Sequence, residues 1–73
     1  MILISQDEMT MIPFDGSTVE IRVLGAEIVE IYANDLSMGV YKTEEEARKV
    51  FRNMIDEALK GAKEFMFPDE VTE

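Results

Sequence analysis

Residues 43–61 are the stretch that most constrains this chain. Ala47, Val50, Phe51, Met54, Ile55, Ala58 and Leu59 recur at steps of three and four, which makes one apolar stripe on a helix of period 3.6. Arg48, Lys49, Arg52, Asn53, Asp56, Glu57 and Lys60 take the other side. Thr43 followed by Glu46 forms a capping box: the hydroxyl accepts the Glu46 N–H and the carboxylate reaches back to the Thr43 N–H. Glu44, Glu45 and Glu46 also place negative charge in the first turn, where the helix dipole favours it. Gly61 suits the left-handed residue that closes a helix. So wide a stripe needs an apolar surface to lie on, and the preceding residues supply it.

Residues 1–42 read as five strands. The segments are 1–5, 9–14, 18–24, 26–33 and 38–42, separated by Gln6-Asp7-Glu8, Asp15-Gly16, Gly25 and Asn34-Asp35. Asp15-Gly16 is the strongest hairpin signal, because glycine takes φ > 0 cheaply. In the third segment Val19, Ile21 and Val23 alternate with Glu20 and Arg22, the period of a half-buried strand. The expected fold is α+β: an antiparallel meander of about five strands, one C-terminal amphipathic helix and a short extended tail over residues 62–73. All of it forms one domain. In the tail, Phe65 and Phe67 share a face expected to be buried, and Pro68 stops any helix. The acidic end, with Glu70 and Glu73, is expected to fray.

One helix covers one face of a sheet, yet apolar residues occur on both. Ile2 and Ile4 oppose Leu3, Met9 and Met11 oppose Ile12 and Phe14, and Ile28 and Tyr32 oppose Val29 and Ile31. Such a sheet is curled, covered by the tail, or covered by a partner. Met9 and Met11 fit either core filling or a self-association patch. A 73-residue chain is short for a self-sufficient core. It has no Cys and no His, hence no disulfide, no thiolate site and no imidazole base. Oligomerisation is the remaining means of stabilisation.

Three stretches stand out together: Leu3-Ile4-Ser5-Gln6-Asp7 with Ile12-Pro13-Phe14-Asp15, then Gly39, Tyr41-Lys42-Thr43-Glu44-Glu45, Ala47 and Val50, and finally Phe65-Met66-Phe67-Pro68-Asp69. This pattern resembles a group of small proteins of Gram-positive bacteria and their phages. Members typically carry Gly-x-Tyr-x-Thr-Glu-Glu into the helix and end in an aromatic-x-Met-Pro-acidic segment. Here the Met stands one place earlier. The resemblance implies a phage or prophage setting and a β-rich sheet with a C-terminal helix, and it carries no chemistry.

Nothing in the residues points to catalysis. Ser5, Ser17 and Ser37 have no histidine to activate them, and Lys42 lies beside an acidic helix cap. Asp7, Glu8, Asp15, Asn34 and Asp35 lack calcium-loop spacing and read as turn residues. The glycines are isolated, so no loop cradles phosphate. No enzyme activity, metal or cofactor is expected. The longest apolar run is too short to span a bilayer and the N-terminus lacks a cationic region, so a cytoplasmic protein of a bacterial host cell is expected.

Sixteen acids against seven bases leave a net charge of −9. Such a field disfavours nucleic acid and anionic membrane and suits a basic protein surface, while also serving solubility. Arg48, Lys49 and Arg52 do not overturn this, since Glu45–Lys49 and Arg52–Asp56 stand at ion-pair spacing. Two functions follow. In the first, the chain is a protein-binding module, for example a phage-encoded inhibitor whose Glu20, Glu27, Glu30, Asp35, Glu44, Glu45, Asp56 and Glu57 occupy a basic nucleic-acid site. In the second, it is a homo-oligomeric accessory protein joined through Leu3, Met9, Met11, Phe65 and Phe67.

Overall fold

The computed structural model describes residues 1–69. The expected frayed end at residues 70–73 lies outside the described residues. The chain is α+β, with strands β1 (Ile2–Ile4), β2 (Met11–Pro13), β3 (Val19–Gly25), β4 (Ile28–Ala33) and β5 (Leu36–Tyr41), helix α1 (Glu44–Leu59) and a last strand β6 (Glu64–Met66). The strands form two sheets, β2-β1-β6 and β3-β4-β5.

The helix forms at the expected place. Thr43 is extended (φ −131°) and its hydroxyl accepts the Glu46 N–H at 3.1 Å. The reciprocal arm differs, since Glu46 Oε1 accepts from the Thr43 hydroxyl, at 3.5 Å. At the other end Gly61 has φ +81°. Gly61 N–H donates to Ala58 and Ala62 N–H to Glu57, which satisfies the last carbonyls in a Schellman closure. Ala47, Val50 and Met54 are buried against β3, β4 and β5.

The meander is β3-β4-β5. Its inner face carries Val29, Ile31 and Ala33, all buried. Asn34 and Asp35 both take positive φ (52° and 67°), the geometry of a tight hairpin whose twist matches its strands. β5 begins at Leu36, directly after that turn.

The first two strands do not continue the meander. β1 and β2 pair antiparallel, with Leu3 opposite Ile12, and β2 has no partner in β3. Asp15-Gly16 does turn the chain, since Ser17 N–H donates to Phe14 O, but it links two sheets instead of closing a hairpin. Local hydrogen bonds explain the redirection. Asn34 Oδ1 accepts the Thr18 N–H while its amide donates to Ser17 Oγ, which delivers the chain to the side of β4.

The tail is a strand. β6 pairs parallel with β1, placing Phe65 opposite Leu3. This pairing seats Phe67 in the core, with its N–H donating to Ile4 O at 3.0 Å. Leu3, Ile31, Met38, Tyr41, Met54 and Phe67 belong to one buried cluster shared by both sheets and the helix.

Candidate functional site

The three stretches that carried the resemblance meet in space. Pro68 O accepts from the Tyr41 hydroxyl at 2.8 Å and from Gln6 Nε2 at 2.9 Å. Gln6 also lies along β5: its backbone N–H donates to Met38 O at 2.7 Å, and its side-chain Oε1 accepts the Val40 N–H at 3.1 Å. One glutamine amide thus stands in for a neighbouring strand. Beside it, buried Ser5 organises the β1–β2 turn. Its hydroxyl donates to Asp7 Oδ1 at 2.6 Å and accepts the Thr10 N–H at 3.0 Å. The bond from Ser5, followed by that from the Met9 N–H, holds the Asp7 carboxyl below its usual range. These motif residues therefore build a structural junction. Gln6 and Pro68 carried no local signal of it, because the bonds join residues 62 positions apart.

Tyr41 is the one strongly perturbed group at the junction. Burial pushes its phenol well above the usual value, and the Asp69 and Glu46 carboxylates push the same way. An unfolded tyrosine ionises near pH 10. Above that pH the unfolded chain releases a proton that the folded chain keeps. Stability is therefore intact below about pH 10 and falls above it, by up to about 1.4 kcal/mol per pH unit. Denaturant titrations at rising pH should show this fall. Tyr41→Phe should lose about 1 kcal/mol at neutral pH through the missing hydrogen bond, and its alkaline fall should be flatter. Equal alkaline slopes in both proteins would rule Tyr41 out as the cause.

The eight acids expected to bind a partner do not share one surface. Glu30 lies opposite Arg22 and Val40, and Glu20 lies opposite Tyr32, so both stand on the outer face of the meander, away from α1. Asp35 joins them through Arg22, and Glu27 projects at the β3–β4 turn with φ 63°. Glu44, Glu45, Asp56 and Glu57 lie on the helix, on the other side of the sheet. On the outer face Arg22 is held by Glu20, by Asp35 at 2.6 Å, and over the Tyr32 ring with its guanidinium carbon 4.1 Å from the centroid. Glu30 accepts from Ser37 Oγ at 2.6 Å. On the helix Glu44 pairs with Arg48 at 2.8 Å and Glu57 with Lys60 at 3.8 Å.

The residues expected to join copies also separate. Leu3 and Phe67 are buried inside this chain's own core and offer no surface to a second copy. This corrects their assignment, because β6 docking on β1 encloses both. Phe65 is half-buried and packs edge-to-face on Phe67, with centroids 5.2 Å apart. Met9 and Met11 are 84% and 67% exposed, so they do not fill the core.

The surface carries several open concavities, among them one of about 640 Å³ along the exposed side of α1 at Glu44, Arg48 and Arg52. One of about 140 Å³ lies between Gln6, Asp7 and residues 37–40, smaller than the roughly 300–1,000 Å³ of small-molecule sites. A groove of about 380 Å³ runs between β3 and α1, lined by Ile21, Arg48, Phe51, Arg52 and Ile55. Among the described residues no group of three or more acids is placed to hold a metal ion. No helix among them is long and apolar enough to cross a membrane. Comparison with protein-family models, curated proteins and solved structures finds no match to this chain.

Proposed function

We propose that the protein is a non-enzymatic binding module of phage or prophage type, which occupies a basic, nucleic-acid-binding site of a bacterial host protein. The observation that carries this reading is the outer face of the meander. Glu20, Glu30 and Asp35 stand there with Glu27 at the tip, and the base among them, Arg22, is already held by Glu20 and Asp35. Residues 1–40 contain Asp7, Glu8, Asp15, Glu20, Glu27, Glu30 and Asp35 against Arg22 alone, so the field over this face is negative. Such a field steers a basic partner and repels nucleic acid itself. The helix acids share their face with Arg48, Lys49 and Arg52 and are the weaker candidates. The resemblance to small phage proteins supports the setting.

The test is affinity capture from a Gram-positive bacterial lysate with the wild-type chain and with Glu27→Lys/Glu30→Lys. A basic, nucleic-acid-binding protein should be retained by the wild type and lost from the variant, because like charges facing across an interface cost several kcal/mol. Retention should also fall when salt is raised, since exposed charges are screened. Equal capture by a folded variant would sink the reading.

The second reading is a homo-oligomeric accessory protein. It is favoured by Met9 and Met11, whose exposure is unusual for long apolar side chains.

A further inference from the structure

The four sheet edges are treated unequally. β2 is three residues long and ends in Pro13, which has no N–H to offer. β6 is also three residues long and is followed closely by Pro68. β5 is closed by Gln6, whose backbone and side-chain amide bond its outward groups at Met38 and Val40. β3 is seven residues long, contains no proline or lysine, and has β4 as its one neighbour among the described residues. A long edge without protection is a template for another strand.

The ladder's parity says which groups point outward. Asn34 N–H donates to Thr18 O at 2.9 Å, and the Thr18 N–H goes to the Asn34 side chain, so Thr18 faces β4 with its backbone. In an antiparallel ladder bonded and non-bonded pairs alternate. Glu20 and Arg22 therefore also bond toward β4, and Val19, Ile21 and Val23 present their N–H and C=O groups to the open side. The register shift between Val23 and Gly25 ends the regular run. Five residues, 19–23, remain as a usable edge.

These five residues are complementary to themselves. With a two-fold axis at Ile21, the outward groups of Ile21 bond their own copies, Val19 pairs with Val23, and Glu20 lies opposite Arg22 twice. Glu20 and Arg22 occupy non-hydrogen-bonded positions, where facing side chains come closest. Shifting the axis to Glu20 or Arg22 keeps outward backbone groups facing each other but sets like charges directly opposite, Glu20 on Glu20 or Arg22 on Arg22, so the charges favour the register centred on Ile21. We infer that two copies of this chain dimerise by antiparallel β3–β3 pairing centred on Ile21, joining their meanders into one six-stranded sheet. Apolar groups lie beside the axis on the helix side, where Ile21, Phe51 and Ile55 line a groove together with Arg48 and Arg52, and Val23 is 60% exposed. The inference does not depend on acidic docking, and it places self-association at a different surface from Met9 and Met11.

The experiment is the solution mass of the full chain by light scattering, at low salt and at about 0.5 M salt, where exposed charges are strongly screened. The wild type should weigh twice the 8.3 kDa chain at both, because backbone pairing is not screened and the two net negative charges repel less. Glu20→Lys alone and Arg22→Glu alone each set like charges across the axis and should raise the dimer dissociation constant at least tenfold. Mixing the two variants should restore the dimer mass. In the mixed pair the introduced lysine faces the introduced glutamate, and the remaining Arg22 faces the remaining Glu20. This rescue also shows that both variants are folded. A wild type of 8.3 kDa throughout, single variants as dimeric as the wild type, or a mixture that stays monomeric would each overturn the inference. None of these results bears on capture by the acidic face, which is read by partner binding and its loss in salt.

Discussion

Phe67→Ala should remove a large share of the folding stability of this protein. Phe67 is buried, its N–H bonds Ile4 O, and its ring meets Phe65 edge-to-face at 88°. Truncating a core phenylalanine costs about 3–5 kcal/mol, through lost transfer energy and the cavity left behind. A 73-residue domain has roughly 4–11 kcal/mol in total, at about 0.05–0.15 per residue. The loss is thus a large share of the whole. It also removes one of the aromatic pair, worth about 0.5–1.5 kcal/mol beyond burial. Phe65→Ala, at a half-buried position, should cost roughly half as much. Urea titrations followed by far-ultraviolet circular dichroism separate the two. A Phe67→Ala protein within about 1 kcal/mol of the wild type would mean that the docked tail contributes little, contrary to its place in the core.

Gly39→Ala should lower the thermal midpoint by about 8–16 °C. A Cβ at Gly39 would lie 2.7 Å from the Tyr41 hydroxyl oxygen, 2.9 Å from Cε2 and 3.1 Å from Cζ. The ring cannot swing away freely, because Tyr41 is fully buried and its hydroxyl is tied to Pro68 O. Overpacking of this kind costs about 1–3 kcal/mol. The entropy lost by the unfolded chain on Gly→Ala offsets about 0.4–1 of it. A contact as close as 2.7 Å puts the clash at the upper end of that range, which leaves a net cost near 2 kcal/mol and hence that shift, at about 4–8 °C per kcal/mol in a domain this small. In a Tyr41→Leu background the same substitution should cost clearly less, since the clashing atoms are gone. Equal costs in the two backgrounds would show that Tyr41 is not what the new methyl meets. Gly39 is thus required for space, not for a left-handed backbone, and this explains why glycine and tyrosine stand two apart in the Gly-x-Tyr stretch.

Phe67 is held on Ile4, and the Tyr41 ring is fixed by Pro68, through contacts between residues far apart in the chain, which no local pattern records. The helix was legible almost to the residue. Its stripe has period 3.6, Thr43 caps it, and Gly61 ends it, and each of these signals lies within a few residues of what it controls. β3 and β4 were legible for the same reason, since alternation and the Asn34-Asp35 turn are local. Asp15-Gly16 misled because a turn dipeptide specifies a bend and leaves open which strands meet after it. Here the Asn34 side chain redirected the chain. β6 lies in the tail whose extended form the sequence signals, but nothing local names its partner. Three residues pairing in parallel with the first strand carry no period of their own.

The acids divide along the same line. Alternation alone places Glu20 and Arg22 on one face of their strand. That Glu20, Glu30 and Asp35 gather around Arg22, with the helix acids on the far side, depends on which face the helix covers. The elements, their caps, the hairpin turn and the net charge follow from propensity, spacing and composition within a few residues. Long-range packing is what divides the strands into two sheets, encloses Leu3 and Phe67, seals one edge with Gln6, and leaves β3 with one sheet neighbour among the described residues. Each of those outcomes rests on hydrogen bonds or burial between residues far apart in the chain, where no local pattern records the partner.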